Sequence, residues 1–121
     1  MNYFRMSEKD LDLITSLYVK YYNENEDGSW TFEKAYRRIR QVLLTPDSYC
    51  LIQEINGLYT GFLMGFIKEY DDLKSYFLEE IVIFNEYQNK GLGSLFLRAW
   101  KSFVRSGCKP DWINECKWRK A

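Results

Sequence analysis

No histidine occurs among the 121 residues. That single absence removes Ser–His–Asp and Cys–His catalysis, together with every metal site built on imidazole. Cysteine is scarce: Cys50, Cys108 and Cys116 form an odd, scattered set with no C-x-x-C spacing. Such a set suits a reducing compartment and packing roles, so neither a metal site nor a redox pair is expected. No apolar run approaches the length of a membrane span and no signal-peptide pattern opens the sequence, so a cytoplasmic protein without a membrane partner is the expectation. An excess of either charge is missing too, since Lys+Arg 17 balances Asp+Glu 17 for a formal net charge of +0. That balance argues against a dedicated nucleic-acid surface, and no nucleic-acid partner is expected.

What is present is apolar and aromatic. Hydrophobic residues make up 46% and aromatics 18% of the chain, too much for a disordered segment. The length fits one domain, residues 1–121, with a single core. Asn2 to Met6 reads as a short strand. Ser7 precedes Asp10 by three residues, an approximate capping box, and Leu11, Ile14, Leu17, Tyr18 and Tyr21 then follow a helical period that ends near Tyr22. The acidic stretch Asn23 to Gly28 reads as a solvated loop, with an amine-binding lip as the alternative. A second helix is expected from Thr31 to about Leu44. Phe32, Ala35, Tyr36, Ile39, Val42 and Leu43 lie on its apolar face and Arg37, Arg38 and Arg40 on its wet side, and Pro46 closes it.

Strands come next. Ser48 to Ile55 and Leu58 to Lys68 flank Asn56-Gly57, a pair that favours a tight hairpin because both residues accept positive φ. Gly61 and Gly65 inside the second strand suggest a bulge or a close approach to the backbone. A turn at Asp71-Asp72 leads to Ser75–Phe84, whose continuous apolar run from Ile81 predicts a central strand covered on both faces. After it comes Gln88-Asn89-Lys90-Gly91-Leu92-Gly93, and then the clearest helical stripe in the chain: Leu92, Leu95, Phe96, Ala99, Trp100, Phe103 and Val104. Gly107 is placed to end that helix. Asp111 to Trp118 alternates enough to be one more strand.

A glycine-rich turn from strand into helix is a natural anion site. The first helical amides have no partner inside the helix and sit at the positive end of its dipole, so they attract phosphate. The Walker loop is excluded because Lys90 precedes Gly91 instead of following a second glycine. The dinucleotide fingerprint is excluded because no third glycine follows at the required spacing. A purely structural role remains open, in which Gly91 and Gly93 only let helix and strand pack closely.

The element order, and the frame LEEIVIFNEYQNKGLGSLFL, resemble the GCN5-related N-acetyltransferases, the GNAT family. Gln88 to Gly93 fits that family's (Arg/Gln)-x-x-Gly-x-(Gly/Ala) acyl-CoA loop, with Asn85 replacing a common proline. The resemblance implies an α/β fold of the α+β type, a mostly antiparallel mixed sheet flanked by helices. It implies acetyl-CoA as acyl donor and no metal, with acetyl transfer to an amine of a small molecule or a peptide. The implied cofactor contacts are Gln88, Asn89, Lys90, Gly91, Leu92, Gly93 and Ser94 for the pyrophosphate, and Ile81, Val82 and Ile83 for the pantetheine arm. The buried side chains of Ile81 and Ile83 would anchor the strand while its peptide groups face the cofactor, and one N–H there could stabilise an oxyanion. Glu79 and Glu80 are the candidate catalytic bases. In an unbroken strand they point to opposite faces, so only one can serve a given cleft. Glu79 comes first, by its match to the acidic strand of polyamine acetyltransferases in the family.

The end of the sequence departs from this pattern. Family members continue with a further helix and a closing hairpin and often place there a tyrosine that protonates the leaving thiolate. No tyrosine follows Tyr87 here. Two expectations result: a homodimer that covers an otherwise exposed edge, patched in part by Trp112 and Trp118, and, as the alternative function, a non-catalytic acyl-CoA-binding or dimerising protein.

Overall fold

The computed structural model describes residues 1–69, 71, 74–107 and 116–120, with side chains described at all of these except 74, 103–107 and 116–120. The expected turn at Asp71-Asp72 lies partly outside these residues, as does the first half of the final strand. Cys108 and Trp112 lie outside them entirely, and the side chains of Cys116 and Trp118 are likewise not described.

Among the described residues, five strands form one sheet in sequence order: β1 (Asn2–Arg5), β2 (Leu51–Ile55), β3 (Leu58–Glu69), β4 (Lys74–Ile83) and β5 (Cys116–Lys120). Pairing is antiparallel from β1 to β4, and β5 runs parallel to β4. Helices α1 (Leu11–Asn25) and α2 (Phe32–Leu43) cover one face, and α3 (Leu92–Gly107) covers the other. The α+β arrangement is the expected one.

Local chemistry accounts for most of the boundaries. The Asp10 carboxylate accepts the Ser7 N–H at 2.9 Å, so the capping box forms and sets up α1. Helix α1 runs three residues beyond the expected end at Tyr22, to Asn25. There Glu26 and Gly28 donate their N–H groups back to the Tyr22 carbonyl. Thr31 caps α2 through Oγ1, which accepts from the Lys34 N–H at 3.2 Å. Asn56 and Gly57 make the β2–β3 turn at φ 52 and 80, both left-handed, as a two-residue hairpin of this kind demands. Strand β2 starts at Leu51 instead of Ser48, which makes only an isolated bridge with Phe66.

The core has two compartments separated by the sheet. Ile14 and Tyr18 of α1, with Ala35 and Ile39 of α2, pack on Ile52, Phe62, Val82 and Phe84. On the other face, Phe96 and Trp100 of α3 pack on Leu51, Leu63, Tyr76 and Leu78. Among the described side chains of the expected apolar stripes, Phe32 is exposed and stacks on Tyr36, and Leu95 of α3 is also exposed.

One irregularity in the sheet sets the position of the acidic residues. Met64 pairs with Glu80 but Gly65 pairs with Leu78, so Glu79 is an extra residue in β4, a β-bulge. The inserted residue reverses the alternation of side chains along the strand. Before it, Tyr76 and Leu78 face α3; after it, Val82 and Phe84 face α1 and α2. Gly65 is a glycine because a Cβ there would lie 2.1 Å from the Phe77 carbonyl oxygen. The bulge corrects two expectations. Glu79 and Glu80 do not point to opposite faces, since the extra residue turns both toward α2. Ile81 and Ile83 are half-buried instead of fully buried, because the α3 side of the strand, closed over Tyr76 and Leu78, is only partly covered beyond the bulge.

Candidate functional site

The site is built where β4 gives way to α3. After Ile83 the chain makes a short 3-10 turn, Asn85–Tyr87, passes through Gln88, and places Asn89 and Gly91 at φ 63 and 75. Two left-handed residues so close together turn the chain sharply into the helix, and asparagine and glycine are the types that tolerate it. The first helical bond runs from the Leu95 N–H to the Gly91 carbonyl at 3.1 Å. By helix geometry the amides of Leu92, Gly93 and Ser94 lie ahead of it with no acceptor in the helix.

Beside these amides lies a depression of about 280 Å³ lined by Ile83, Tyr87, Gln88, Asn89, Gly91, Leu92 and Gly93. The glycines are not required for packing. A Cβ on Gly91 would meet nothing within 4 Å, and one on Gly93 would meet only Ile83 Cγ1, at 3.8 Å. Gly91 is explained by its backbone angle. Gly93 has no such constraint, and its missing side chain leaves the first helical turn bare where it borders the depression. A phosphate needs that kind of access to backbone amides.

The loop is held from behind. Gln88 Nε2 donates to the Ile83 carbonyl at 2.8 Å and to the Tyr21 hydroxyl at 3.0 Å. The helix start is also tied to the sheet: buried Gln53 donates through Nε2 to the Leu92 carbonyl at 3.2 Å.

A second group of polar side chains lies at the bulge. Glu80 Oε1 accepts from Tyr18 Oη at 3.1 Å and from Arg38 at 2.9 Å, and Oε2 accepts from Tyr22 Oη. Arg38 also donates through Nε to Tyr18 Oη at 3.3 Å and lies 3.9 Å from Glu79 Oε2. Burial, then the nearby Glu80 charge, pushes the Tyr18 phenol up to about 12, and burial with the Glu80 hydrogen bond raises Tyr22 as well. Burial alone would weaken the Arg38 charge, but its bonds to Glu80 and Tyr18 outweigh that and hold its pKa above the ordinary value. Glu80 is therefore a fully engaged carboxylate. Glu79, with about a third of its side chain exposed and, among the described residues, one long contact, has lone pairs to offer.

On the side of β4 away from β3, pairing with β5 covers Lys74 to Leu78. Among the described residues no strand pairs with Glu79 to Ile83 on that side. Those peptide groups border the same end of the sheet as the depression, into which Ile83 projects.

The sequence of residues 11–110 matches the model of the Acetyltransferase (GNAT) family. The chain belongs to the GNAT acetyltransferase family. No curated protein matches the sequence, but solved structures share the fold. A possible acetyltransferase from Clostridium difficile 630 superposes with a TM-score of 0.77 at 14% identity, over 99% of this chain and 78% of that one. An acetyltransferase from Vibrio fischeri gives 0.62 at 22% identity, covering 90% and 91%. A predicted acetyltransferase from Clostridium acetobutylicum, solved with acetyl-CoA, gives 0.68 at 13% identity, covering 99% and 79%. Identities this low carry the fold alone. Family membership supports acetyl transfer in general.

Within the GNAT fold, the expected site residues divide by position. Ile83, Gln88, Asn89, Gly91, Leu92 and Gly93 line the depression together, with Tyr87 added. Lys90 and Ser94 are exposed next to it. Ile81 shares the Ile83 face, whereas the Val82 side chain is buried on the opposite face and could contribute only its peptide group. The expectation that Arg38 lies on the wet side of α2 with Arg37 and Arg40 is wrong: Arg38 turns inward because Glu80 of β4 faces α2. Besides Tyr87, the sequence did not single out Tyr18, Tyr21, Tyr22 and Arg38 as side chains at the site. Their signal was present as tyrosines on a helix face otherwise reserved for apolar residues. A buried hydroxyl needs a partner, and the acids of β4 and the Gln88 loop supply it. Among the described residues no helix is long and apolar enough to cross a membrane, and no cluster of His, Cys, Asp or Glu could hold a metal.

Proposed function

We propose that the protein transfers an acetyl group from acetyl-CoA to an amine of a small molecule or peptide, with Glu79 as the base. The observation that carries this reading is the bare helix start at Gly93. It opens onto the depression beside the stretch of β4 that, among the described residues, no strand pairs on the side away from β3, and the bulge that carries Glu79 stands at the far end of that stretch. When bound, the donor supplies an acetyl thioester that is already activated toward nucleophiles.

The chain's own residues would do three things. The amides of Asn89 to Ser94 would receive the pyrophosphate, with the helix dipole favouring its charge; the Gln88 N–H is already donated to the Asn85 carbonyl at 3.2 Å. The open edge of Ile81 to Ile83 would align the pantetheine arm by peptide hydrogen bonds, which fixes the thioester in place and lowers the barrier through positioning. Glu79 would take the proton that the amine must lose before attack, directly or through one water. Glu80 is assigned away from this role because Tyr18, Tyr22 and Arg38 already occupy its oxygens.

Thiol release monitored against an amine panel, with a parallel calorimetric titration of acetyl-CoA, tests the proposal. Binding with turnover that collapses in Glu79→Gln is the expected result. Binding with no turnover on any amine would replace it by the non-catalytic acyl-CoA-binding reading. The two-copy assembly belongs to the same proposal and draws on the exposed Leu95 of α3; a monomer mass by light scattering would remove it.

A further inference from the structure

The seam between α1 and the cofactor loop carries more than its packing requires. We propose that Tyr21 is a positioning residue for donor binding, holding the Gln88 side chain and, through it, the loop that leads into α3. The inference rests on the acetyl-CoA reading of the loop.

The hydrogen-bond directions are fixed by chemistry. The Gln88 carboxamide has two N–H groups, and both are used: one on the Ile83 carbonyl at 2.8 Å, the other on Tyr21 Oη at 3.0 Å. The single phenolic proton of Tyr21 goes to Glu26 Oε1 at 3.0 Å, which leaves an oxygen lone pair for Gln88. Burial raises the Tyr21 phenol above its usual range, so that proton stays in place at neutral pH. The outcome is a directed chain of hydrogen bonds from Gln88 through Tyr21 to Glu26, with Ile83 as a second anchor. The neighbouring Lys20–Glu86 pair, at 3.9 Å and largely exposed, crosses the same seam but adds little.

This connection matters because of the backbone just beyond Gln88. Asn89 and Gly91 are both left-handed, and neither conformation is held by a regular ladder. A loop of that shape loses freedom when a ligand orders it, and each contact that orders it beforehand improves affinity. Ile83 fixes the loop to the end of β4. Tyr21 fixes it to a helix of the opposite layer, so the two anchors together set the direction from which the chain enters α3.

Calorimetric titration of CoA into the wild type, Tyr21→Phe, Gln88→Leu and the double variant tests this. Loss of the hydrogen bond from Gln88 should weaken CoA binding by about threefold to tenfold in Tyr21→Phe. The double variant should bind no more weakly than Gln88→Leu, because both substitutions break one connection. The thermal midpoint and kcat of Tyr21→Phe should stay at the wild-type level while the KM for acetyl-CoA rises, a split that a general loss of structure would not give. Wild-type affinity in Tyr21→Phe, or losses that multiply in the double variant, would overturn the assignment and leave the donor reading intact. A wild type that binds no CoA would overturn both.

Discussion

Two adjacent glutamates meet at the bulge inside β4, and their surroundings differ. Glu80 closes a network with Tyr18, Tyr22 and Arg38, and its side chain is only 15% exposed. Its removal should show mainly in stability. Glu80→Ala strands a half-buried guanidinium and two phenols, and an unfolding titration in urea should show a loss of about 1–3 kcal/mol. Glu79→Gln should do the opposite, leaving the urea midpoint in place while kcat falls by about a hundred- to ten-thousand-fold. Equal effects of the two substitutions on both quantities would contradict the division.

The same network gives the protein an alkaline limit. In the folded chain burial and Glu80 raise the Tyr18 phenol from 10.0 to about 12. The neutral phenol is thus favoured by folding. Its contribution is complete below the unfolded value near 10 and is lost as pH rises toward about 12, because the unfolded chain then holds fewer protons. Unfolding free energy measured from pH 8 to 12 should be flat at first and fall above 10. Tyr18→Phe removes that group's share of the slope.

At the scale of elements, the bulge in β4 decides which way the two acids point. Without Glu79 as an extra residue, β4 would keep one alternation and the two acids would straddle the sheet. Gly65 lies at this irregularity because a side chain there would overlap the Phe77 carbonyl and the Tyr76 ring. Gly65→Ala should therefore cost at least about 2 kcal/mol, read as a drop in urea midpoint, even though alanine is otherwise the mildest replacement. An unchanged midpoint would mean that β3 and β4 are not registered as described. Much at this scale was legible from residues alone. Asn56-Gly57 dictated its own turn, Ser7–Asp10 its cap, and the stripe through Phe96 and Trp100 the buried face of α3. The bulge was not legible, because the sequence around Glu79 reads equally well as an unbroken strand and only the partner register distinguishes the two. Arg38 was missed for a related reason: on a helix wheel it belongs with Arg37 and Arg40, and only a carboxylate from another layer draws it inward. Of the candidate site, the loop from Gln88 to Gly93 was readable because its spacing is local. The helix that holds it through Tyr21 was not, since Tyr21 and Gln88 are distant in sequence.

For the molecule as a whole, a mixed sheet between two helical layers brings the helix start, the open end of β4 and the bulge to one edge. The fold belongs to the GNAT family, and the proposed chemistry depends on whether the bare start of α3 receives a donor. A calorimetric titration of acetyl-CoA into the wild type and into Gly93→Val tests that claim most directly. A Cβ at this position would make only an ordinary contact with Ile83, at 3.8 Å, so the variant should stay folded. Saturable binding to the wild type is expected, with a loss of more than an order of magnitude in Gly93→Val and a thermal midpoint little changed. Equal affinity in the two proteins, or no binding to either at millimolar ligand, would contradict it.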